Sequence, residues 1–498
     1  MSKESNMGLI VKNAGIDTFG TGINIIITFF ASVVITRTIG AELFGKYSLA
    51  NSIFQVLSVF AIFGMNAGVV KLTSKYNARQ DPPAVKGTLM SGIVLTAAIS
   101  AVIVVAVVFL SPLLATKVFS KAEGLSPILR IFIIALPFYS LMLVINGYTQ
   151  GLKTLKYTVL VELISRPLIR LAAVVLLFLI GWRLFGVIVG TIFAYVVATL
   201  MAFHFAKKVS PFNFKRTRVR PVYNELFFYS LPLVFSRFMN VIMARSNTIL
   251  VGYFEDPTSI GLFGAVAQLA PFVSLGLVSF TKIFSPVIAD LWERNNLEEL
   301  KSTFKTVSKW VFSIGLPVFI VLMVFAPSLL SVFGPEFAGA ATTLRLMAVG
   351  QILTVIIGPL GYLLAMTGRQ KLNLVNAIAL AAVNVVLNIV MIPRWGIAGA
   401  GLASTISVVA INLARLIQVK RIYGFTPFRR DIYKPALAAA IAAAVFYFLR
   451  LQLGWEDIGR TLLLSAACVV VYASLLYVFG LREEKEILLE ILRRRKRA

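Results

Sequence analysis

Thr88–Ser111 reads TLMSGIVLTAAISAVIVVAVVFLS, a stretch of 24 residues without a charge, with Lys86 just before it and Lys117 just after. An apolar run of roughly 20 residues is long enough for a helix to cross the hydrocarbon core of a bilayer. Similar runs recur at about 17–36, 44–66, 88–111, 125–148, 157–180, 184–206, 226–251, 259–283, 308–333, 342–366, 372–393, 396–419, 435–452 and 461–480. The pattern predicts an all-α integral membrane protein of about fourteen transmembrane helices. Composition agrees: 58% of the 498 residues are hydrophobic, and the mean hydropathy is +0.87.

The formal net charge is +27, but the cations are not spread evenly. They gather in every second gap between the runs: Lys71, Lys75, Arg79 and Lys86; then Lys153 and Lys156; then Lys207, Lys208, Lys215, Arg216, Arg218 and Arg220. The second half repeats this with Arg294, Lys301, Lys305 and Lys309, then Arg369 and Lys371, then Lys420, Arg421, Arg429, Arg430 and Lys434. The intervening gaps hold only Arg37, Lys46, Lys117, Lys121, Arg183, Arg394, Arg450 and Arg460. Cytoplasmic loops of membrane proteins carry excess Lys and Arg. The basic gaps are therefore expected inside, with both termini cytoplasmic and the chain in the cell membrane. The charge is topological, and no nucleic-acid partner is expected. The tail 481–498, which ends in Arg493, Arg494, Arg495, Lys496 and Arg497, is expected to meet anionic lipid of the inner leaflet.

Several function classes fall away. One cysteine, Cys468, and one histidine, His204, give neither a disulfide framework nor a metal site. No phosphate-binding G-x-x-x-x-G-K-[ST] loop occurs, and no connector has room for a nucleotide-binding domain. The first run has no small-residue cleavage exit, so it is expected to stay as an anchor. The longest inner connectors are 207–225 and 284–307, and Glu298–Lys301 in the second predicts a short solvated helix. No catalytic residues, cofactor or metal are expected, and the chain is not read as an enzyme.

An internal repeat appears at an offset of roughly 210–217 residues. Gly45-Lys46-Tyr47-Ser48 is echoed by Gly261-Leu262-Phe263-Gly264, Gly151-Leu152-Lys153 by Gly368-Arg369-Gln370-Lys371, and Gly186-Val187-Ile188-Val189-Gly190 by Gly396-Ile397-Ala398-Gly399-Ala400-Gly401. An even number of helices per copy makes the repeats parallel, related by a pseudo-two-fold along the membrane normal. The expected organisation is an N-lobe of six helices at 1–210, a C-lobe of six at 211–430, a final helix pair at 431–480 and the basic tail. The glycines of the third echo are read as packing positions.

A few charges remain inside the spans, where each costs about 2.5–3.5 kcal/mol on insertion scales. Arg166, Arg170, Arg237, Arg245 and Lys282 are candidates to line a cationic cavity, because the planar guanidinium suits phosphate. Glu162, Arg166 and Arg170 recur every four residues, which predicts one helix face and a Glu162–Arg166 pair. Arg245 and Lys282 are also placed to snorkel to an interface. Polar candidates are Asp17, Asn24, Glu162, Asn240, Asn247, Asn384 and Asn388. Asp17 is a candidate proton or sodium site. Asn384 and Asn388 suit either a sugar or interhelical hydrogen bonds.

Four stretches carry a family resemblance: Thr36-Arg37-Thr38-Ile39-Gly40-Ala41-Glu42-Leu43-Phe44-Gly45-Lys46-Tyr47-Ser48; Gln150-Gly151-Leu152-Lys153; Asn247-Thr248-Ile249-Leu250-Val251-Gly252-Tyr253-Phe254; and Pro393-Arg394-Trp395-Gly396-Ile397-Ala398-Gly399-Ala400-Gly401. The chain resembles the multidrug/oligosaccharidyl-lipid/polysaccharide exporter superfamily, in its polysaccharide (O-antigen-type) flippase branch. The resemblance implies two six-helix lobes in a V. It also implies movement of polyprenyl-pyrophosphate-linked glycans from the inner to the outer leaflet. The expected mechanism is alternating access by rocking of the two lobes, with the prenyl chain left in lipid along the last helix pair. Expected partners are the lipid-linked glycan, membrane lipids, and a glycan polymerase or glycosyltransferases. Family members often carry an acid where this chain has Asn247, so an ion-coupling role does not carry over there. A cation-coupled multidrug or metabolite exporter of the same fold is the alternative, and it calls for more cavity acids than this chain has.

Overall fold

The computed structural model describes residues 6–453 and 458–480. Among the described residues every regular element is a helix. Eleven helical stretches among the described residues are long and apolar enough to cross a membrane. The chain divides after Gly264 into two compact units.

The first unit contains α1 (Asn6–Ile62), α2 (Met65–Ala78), α3 (Pro82–Leu113), α4 (Leu125–Phe132), α5 (Ala135–Gly151), α6 (Leu155–Thr158), α7 (Arg166–Leu179), α8 (Leu184–Val209) and α9 (Tyr223–Phe254), and α10 (Pro257–Leu269) begins in it. Helix α1 would be about 85 Å long if straight, at 1.5 Å per residue, far more than a bilayer core of about 30 Å. Gly40 breaks it, with φ 75° and ψ 174°. The predicted runs 17–36 and 44–66 fall on either side of that break. Helix α9, read from sequence as the start of the second lobe, packs on α1, α2 and α3.

Small residues let these helices approach closely without a hydrophobic driving force between them. Ala194, Ala198, Ala202 and Ala206 recur every fourth residue on α8 and are buried, and α8 packs on α5 and α7. Gly45 and Gly261 come from the first repeat echo and pack against each other. A Cβ on Gly45 would fall 1.7 Å from the Pro257 carbonyl oxygen, and one on Gly261 would fall 2.0 Å from that of Ala41.

The connector after α8 is fastened to the start of α3. Lys86 Nζ donates to the carbonyls of Phe214 (2.7 Å) and Thr217 (2.9 Å). Arg220 pairs with Asp81 at 2.5 Å, and Lys75 with Glu225 at 2.5 Å. These cations, expected in inner loops, hold loop and helix ends together.

The second unit contains α11 (Leu275–Glu293), α12 (Leu297–Val324), α13 (Ala326–Leu330), α14 (Ala341–Ile357), α15 (Leu360–Met366), α16 (Gln370–Tyr423), α17 (Tyr433–Leu453) and α18 (Ile458–Gly480). Helix α16 is broken at Gly396, with φ 56° and ψ −139°. It folds back on itself there: Asn376 and Gln418, which would lie about 63 Å apart on a straight helix, are hydrogen-bonded. Glu298 and Lys301 do pair, at 3.3 Å. They belong, however, to the first turn of α12, which Asn296 caps by accepting from the Glu299 N–H at 3.2 Å. The expected separate solvated helix is absent because α11 continues to Glu293. The tail 481–498 lies outside the described residues.

Candidate functional site

The arginine stripe begins in an unusual helical turn. Val159–Ser165 is π-helical, and α7 follows directly at Arg166. A π turn widens the spacing to i→i+5. Glu162 and Arg166 therefore lose the i, i+4 alignment that a regular helix would give, and the expected Glu162–Arg166 ion pair does not form. Arg166 and Arg170 lie beyond the turn in regular helix and keep a common face. Each is directed at a tyrosine instead. The Arg166 guanidinium stands 5.9 Å from the Tyr195 ring centre, and that of Arg170 stands 5.5 Å from Tyr47. Arg170 Nη2 also donates to the Tyr47 hydroxyl at 2.8 Å, while its buried Nε has no acceptor.

Helix α9 brings in two more cations. Arg245 Nε donates to Gln55 Oε1 of α1 at 2.9 Å, so Arg245 is bonded within the unit and does not simply snorkel. Arg237 makes no hydrogen bond or ion pair among the described residues, but its charge, like those of Arg166, Arg245 and Glu162, reaches the Tyr139 hydroxyl. All four arginines are half-buried. None pairs with a carboxylate among the described residues.

The aromatic rings are continuous beneath them. Phe54 packs against Phe132, Tyr139 and Tyr195 at 4.9, 5.6 and 6.1 Å between ring centres, and Tyr47 meets Phe132 at 5.7 Å. Four helices contribute to this platform: α1, α4, α5 and α8. A face of arginines, two of them over tyrosines and none ion-paired to a carboxylate among the described residues, can take an anion, because the guanidinium fork matches phosphate oxygens. Beside it lies an apolar cleft of about 410 Å³, lined by Ile53, Val56, Leu57, Ile103, Val107 and Ile249 among others. Ile249 is one turn beyond Arg245 on the same face of α9.

The other candidates are scattered. Asp17 and Asn24 are half-buried on α1. The Asp17 carbonyl accepts from Thr21 Oγ1 at 2.8 Å, and Asn24 Oδ1 accepts from Thr28 Oγ1 at 3.4 Å. Asn240 is exposed and bonds the Ser236 carbonyl within α9. Asn247 is half-buried and already engaged. Asn384 and Asn388 are buried, and Asn388 Nδ2 donates to Asn384 Oδ1 at 3.0 Å. Lys282 falls within α11, and its side chain lies outside the described residues. Sequence reasoning missed Tyr47, Gln55, Tyr139 and Tyr195. Only Tyr47 carried a signal, as part of the repeated Gly45-Lys46-Tyr47-Ser48 turn.

With fold and site in place, comparison with known proteins decides the family. The model of the polysaccharide biosynthesis protein family matches residues 10–292. The chain belongs to that family. The MatE model also matches, over residues 232–390. Stage V sporulation protein B of Bacillus subtilis (strain 168) is 23% identical over 487 residues, covering 92% of this chain and 93% of that protein. The probable low-salt glycan biosynthesis flippase Agl15 of Haloferax volcanii is 22% identical over 184 residues, covering 37% and 39%. Among solved structures, lipid II flippase MurJ in its inward closed conformation superposes with a TM-score of 0.73 at 16% identity, covering 94% of this chain and 99% of that one. That likeness establishes a shared fold for this member of the polysaccharide biosynthesis family.

Proposed function

We propose that this protein is a flippase that moves a polyprenyl-pyrophosphate-linked oligosaccharide from the inner to the outer leaflet by alternating access. The observation that carries the proposal is the set of four half-buried arginines, Arg166 and Arg170 over tyrosines, Arg245 on Gln55, and Arg237, with no carboxylate partner among the described residues. Uncompensated cations inside a membrane unit are costly, and an anionic headgroup supplies the missing charge. Family membership, and the glycan and lipid II flippases among the similar proteins, support this choice of cargo. In this reading the pyrophosphate rests on the arginines. The apolar chain is proposed to stay in lipid beside the cleft at Ile53, Val107 and Ile249, in place of the last helix pair expected from the sequence.

The reading carries the remaining expectations with it. Divided at Gly40 and Gly396, and counting the charged run Leu155–Leu179, the helices make fourteen crossings with both ends cytoplasmic in the plasma membrane. Asp17 is the proposed site for proton or sodium coupling. Glycosyltransferases and a polymerase are the proposed partners on either side. The MatE match favours a second reading, a cation-coupled exporter.

Loss of the gene in its host separates the two. The flippase reading expects lipid-linked oligosaccharide to accumulate on the inner leaflet and complementation to clear it. Normal leaflet distribution together with new sensitivity to cationic drugs would favour the exporter.

A further inference from the structure

The second unit holds a half-buried cation that the pocket above does not use. Arg415 lies on the second half of α16. Its Nη2 is 3.5 Å from Asn373 Oδ1 on the first half, the long limit of a hydrogen bond. Its Nε is buried without an acceptor. No carboxylate among the described residues pairs with it. A guanidinium has five donors, and among the described residues one long bond is all that engages them.

A polar pair close by is, by contrast, closed. One turn further along both halves, Asn376 and Gln418 exchange two amide hydrogen bonds of 2.7 and 2.9 Å. That closed pair fixes the two halves of α16 against each other and presents Arg415 at a set position. Gly361 of α15 lies against the same group. A Cβ there would stand 3.4 Å from Asn373 Oδ1 and 3.5 Å from Arg415 Cζ, so the glycine leaves one side of the guanidinium uncovered. Arg415 is eight residues from Tyr423, the end of α16, or about 12 Å at 1.5 Å per residue. That end carries Lys420 and Arg421, the charge signature of the cytoplasmic side. A purely structural arginine would be expected to find carbonyls or a carboxylate, as Arg345 does at the Met323 carbonyl, 3.0 Å away.

We infer that Arg415, Asn373 and the face left open by Gly361 form a second anion subsite, within the second unit, which takes a phosphate of a lipid headgroup at the inner-leaflet end. The ligand class rests on the flippase reading. The subsite itself rests on the unpaired guanidinium. Two adjacent N–H groups of an arginine match two phosphate oxygens, and Asn373 offers its amide beside them.

The test is calorimetric titration of the full-length protein, in phosphatidylcholine nanodiscs, with farnesyl pyrophosphate. Inorganic pyrophosphate and farnesol serve as controls. The wild type is expected to bind at two sites. Arg415→Gln is expected to bind at one, and so is Gly361→Leu, which fills the open face without changing charge. Arg245→Gln should lose the other site. Two sites of unchanged affinity in both Arg415→Gln and Gly361→Leu would overturn the subsite. So would a single wild-type site lost only in Arg245→Gln, which leaves the flippase pocket standing. A single site lost only in Arg415→Gln would support the subsite and sink the first pocket. Inorganic pyrophosphate binding at Arg415 as tightly as the farnesyl compound would overturn the assignment to a lipid.

Discussion

Arg245 of α9 and Gln55 of α1 are joined by a 2.9 Å hydrogen bond from Nε to Oε1, and no carboxylate among the described residues neutralises the arginine. An amide holds a guanidinium in place without cancelling its charge. That distinguishes a site kept ready for an anion from a structural ion pair, and it separates the effects of substitution on stability and on transport. Arg245→Gln is expected to lower transport by tenfold or more. Its thermal midpoint should hold or rise, because an unpaired charge in a span costs about 2.5–3.5 kcal/mol. Transport rate and melting temperature measured on the same preparation check this. A fall in both together would mark a structural arginine.

Tyr47 offers a graded version of the same test. Tyr47→Phe removes only the hydroxyl that accepts from Arg170. An interhelical hydrogen bond in a membrane averages about 0.6 kcal/mol, so a loss of roughly threefold is expected. Tyr47→Leu also removes the ring beneath the guanidinium, worth about 0.5–2 kcal/mol, and should cost distinctly more. Initial rates at saturating lipid substrate distinguish the two variants.

Gly45 and Gly261 test the fold. Either glycine changed to valine drives a side chain into a carbonyl within about 2 Å of the new Cβ. Overpacking of this kind typically costs about 1–3 kcal/mol, so each variant should melt earlier than wild type. Because both crowd one contact, the double variant should cost less than the sum of the two. Thermal unfolding of the four proteins in detergent measures this directly.

Glu255 lies between spans, and burial, ahead of its repulsion by Asp256, raises its carboxyl above the usual range despite Lys121. The folded state then holds the proton more tightly than the unfolded chain. Its contribution is favourable below the unfolded pKa and is lost as pH rises through the folded pKa. Glu255→Gln is expected to melt higher than wild type at pH 7, with the gap shrinking toward pH 4. A gap that grows on acidification would refute the assignment.

The spans were legible because an apolar run such as Thr88–Ser111 admits few other readings, and the turns at Gly40 and Gly396 lie in stretches that resemble the family. The site was legible in part. Arg166 and Arg170 announced themselves as charges in an apolar run. Their environment did not, because the stretch Val159-Leu160-Val161-Glu162-Leu163-Ile164-Ser165 carries no mark of a π turn. The tyrosine platform is assembled from residues as distant as Tyr47 and Tyr195, which no local pattern connects. Arg415 stands within the run 396–419 but was not among the charges singled out from the sequence. Its lack of a partner could be known only once α16 was seen to fold back at Gly396.

The central claim is best tested by the rate at which a headgroup-labelled polyprenyl-pyrophosphate oligosaccharide crosses the bilayer of proteoliposomes, followed by quenching from outside. Wild-type protein is predicted to accelerate crossing well above protein-free vesicles. The double variant Arg170→Gln/Arg245→Gln is predicted to fall to within about twofold of the protein-free rate, as the loss of two charge-assisted contacts of about 1.5–3 kcal/mol each would require. Crossing no faster than in protein-free vesicles with the wild type, or undiminished crossing in the double variant, would contradict the account.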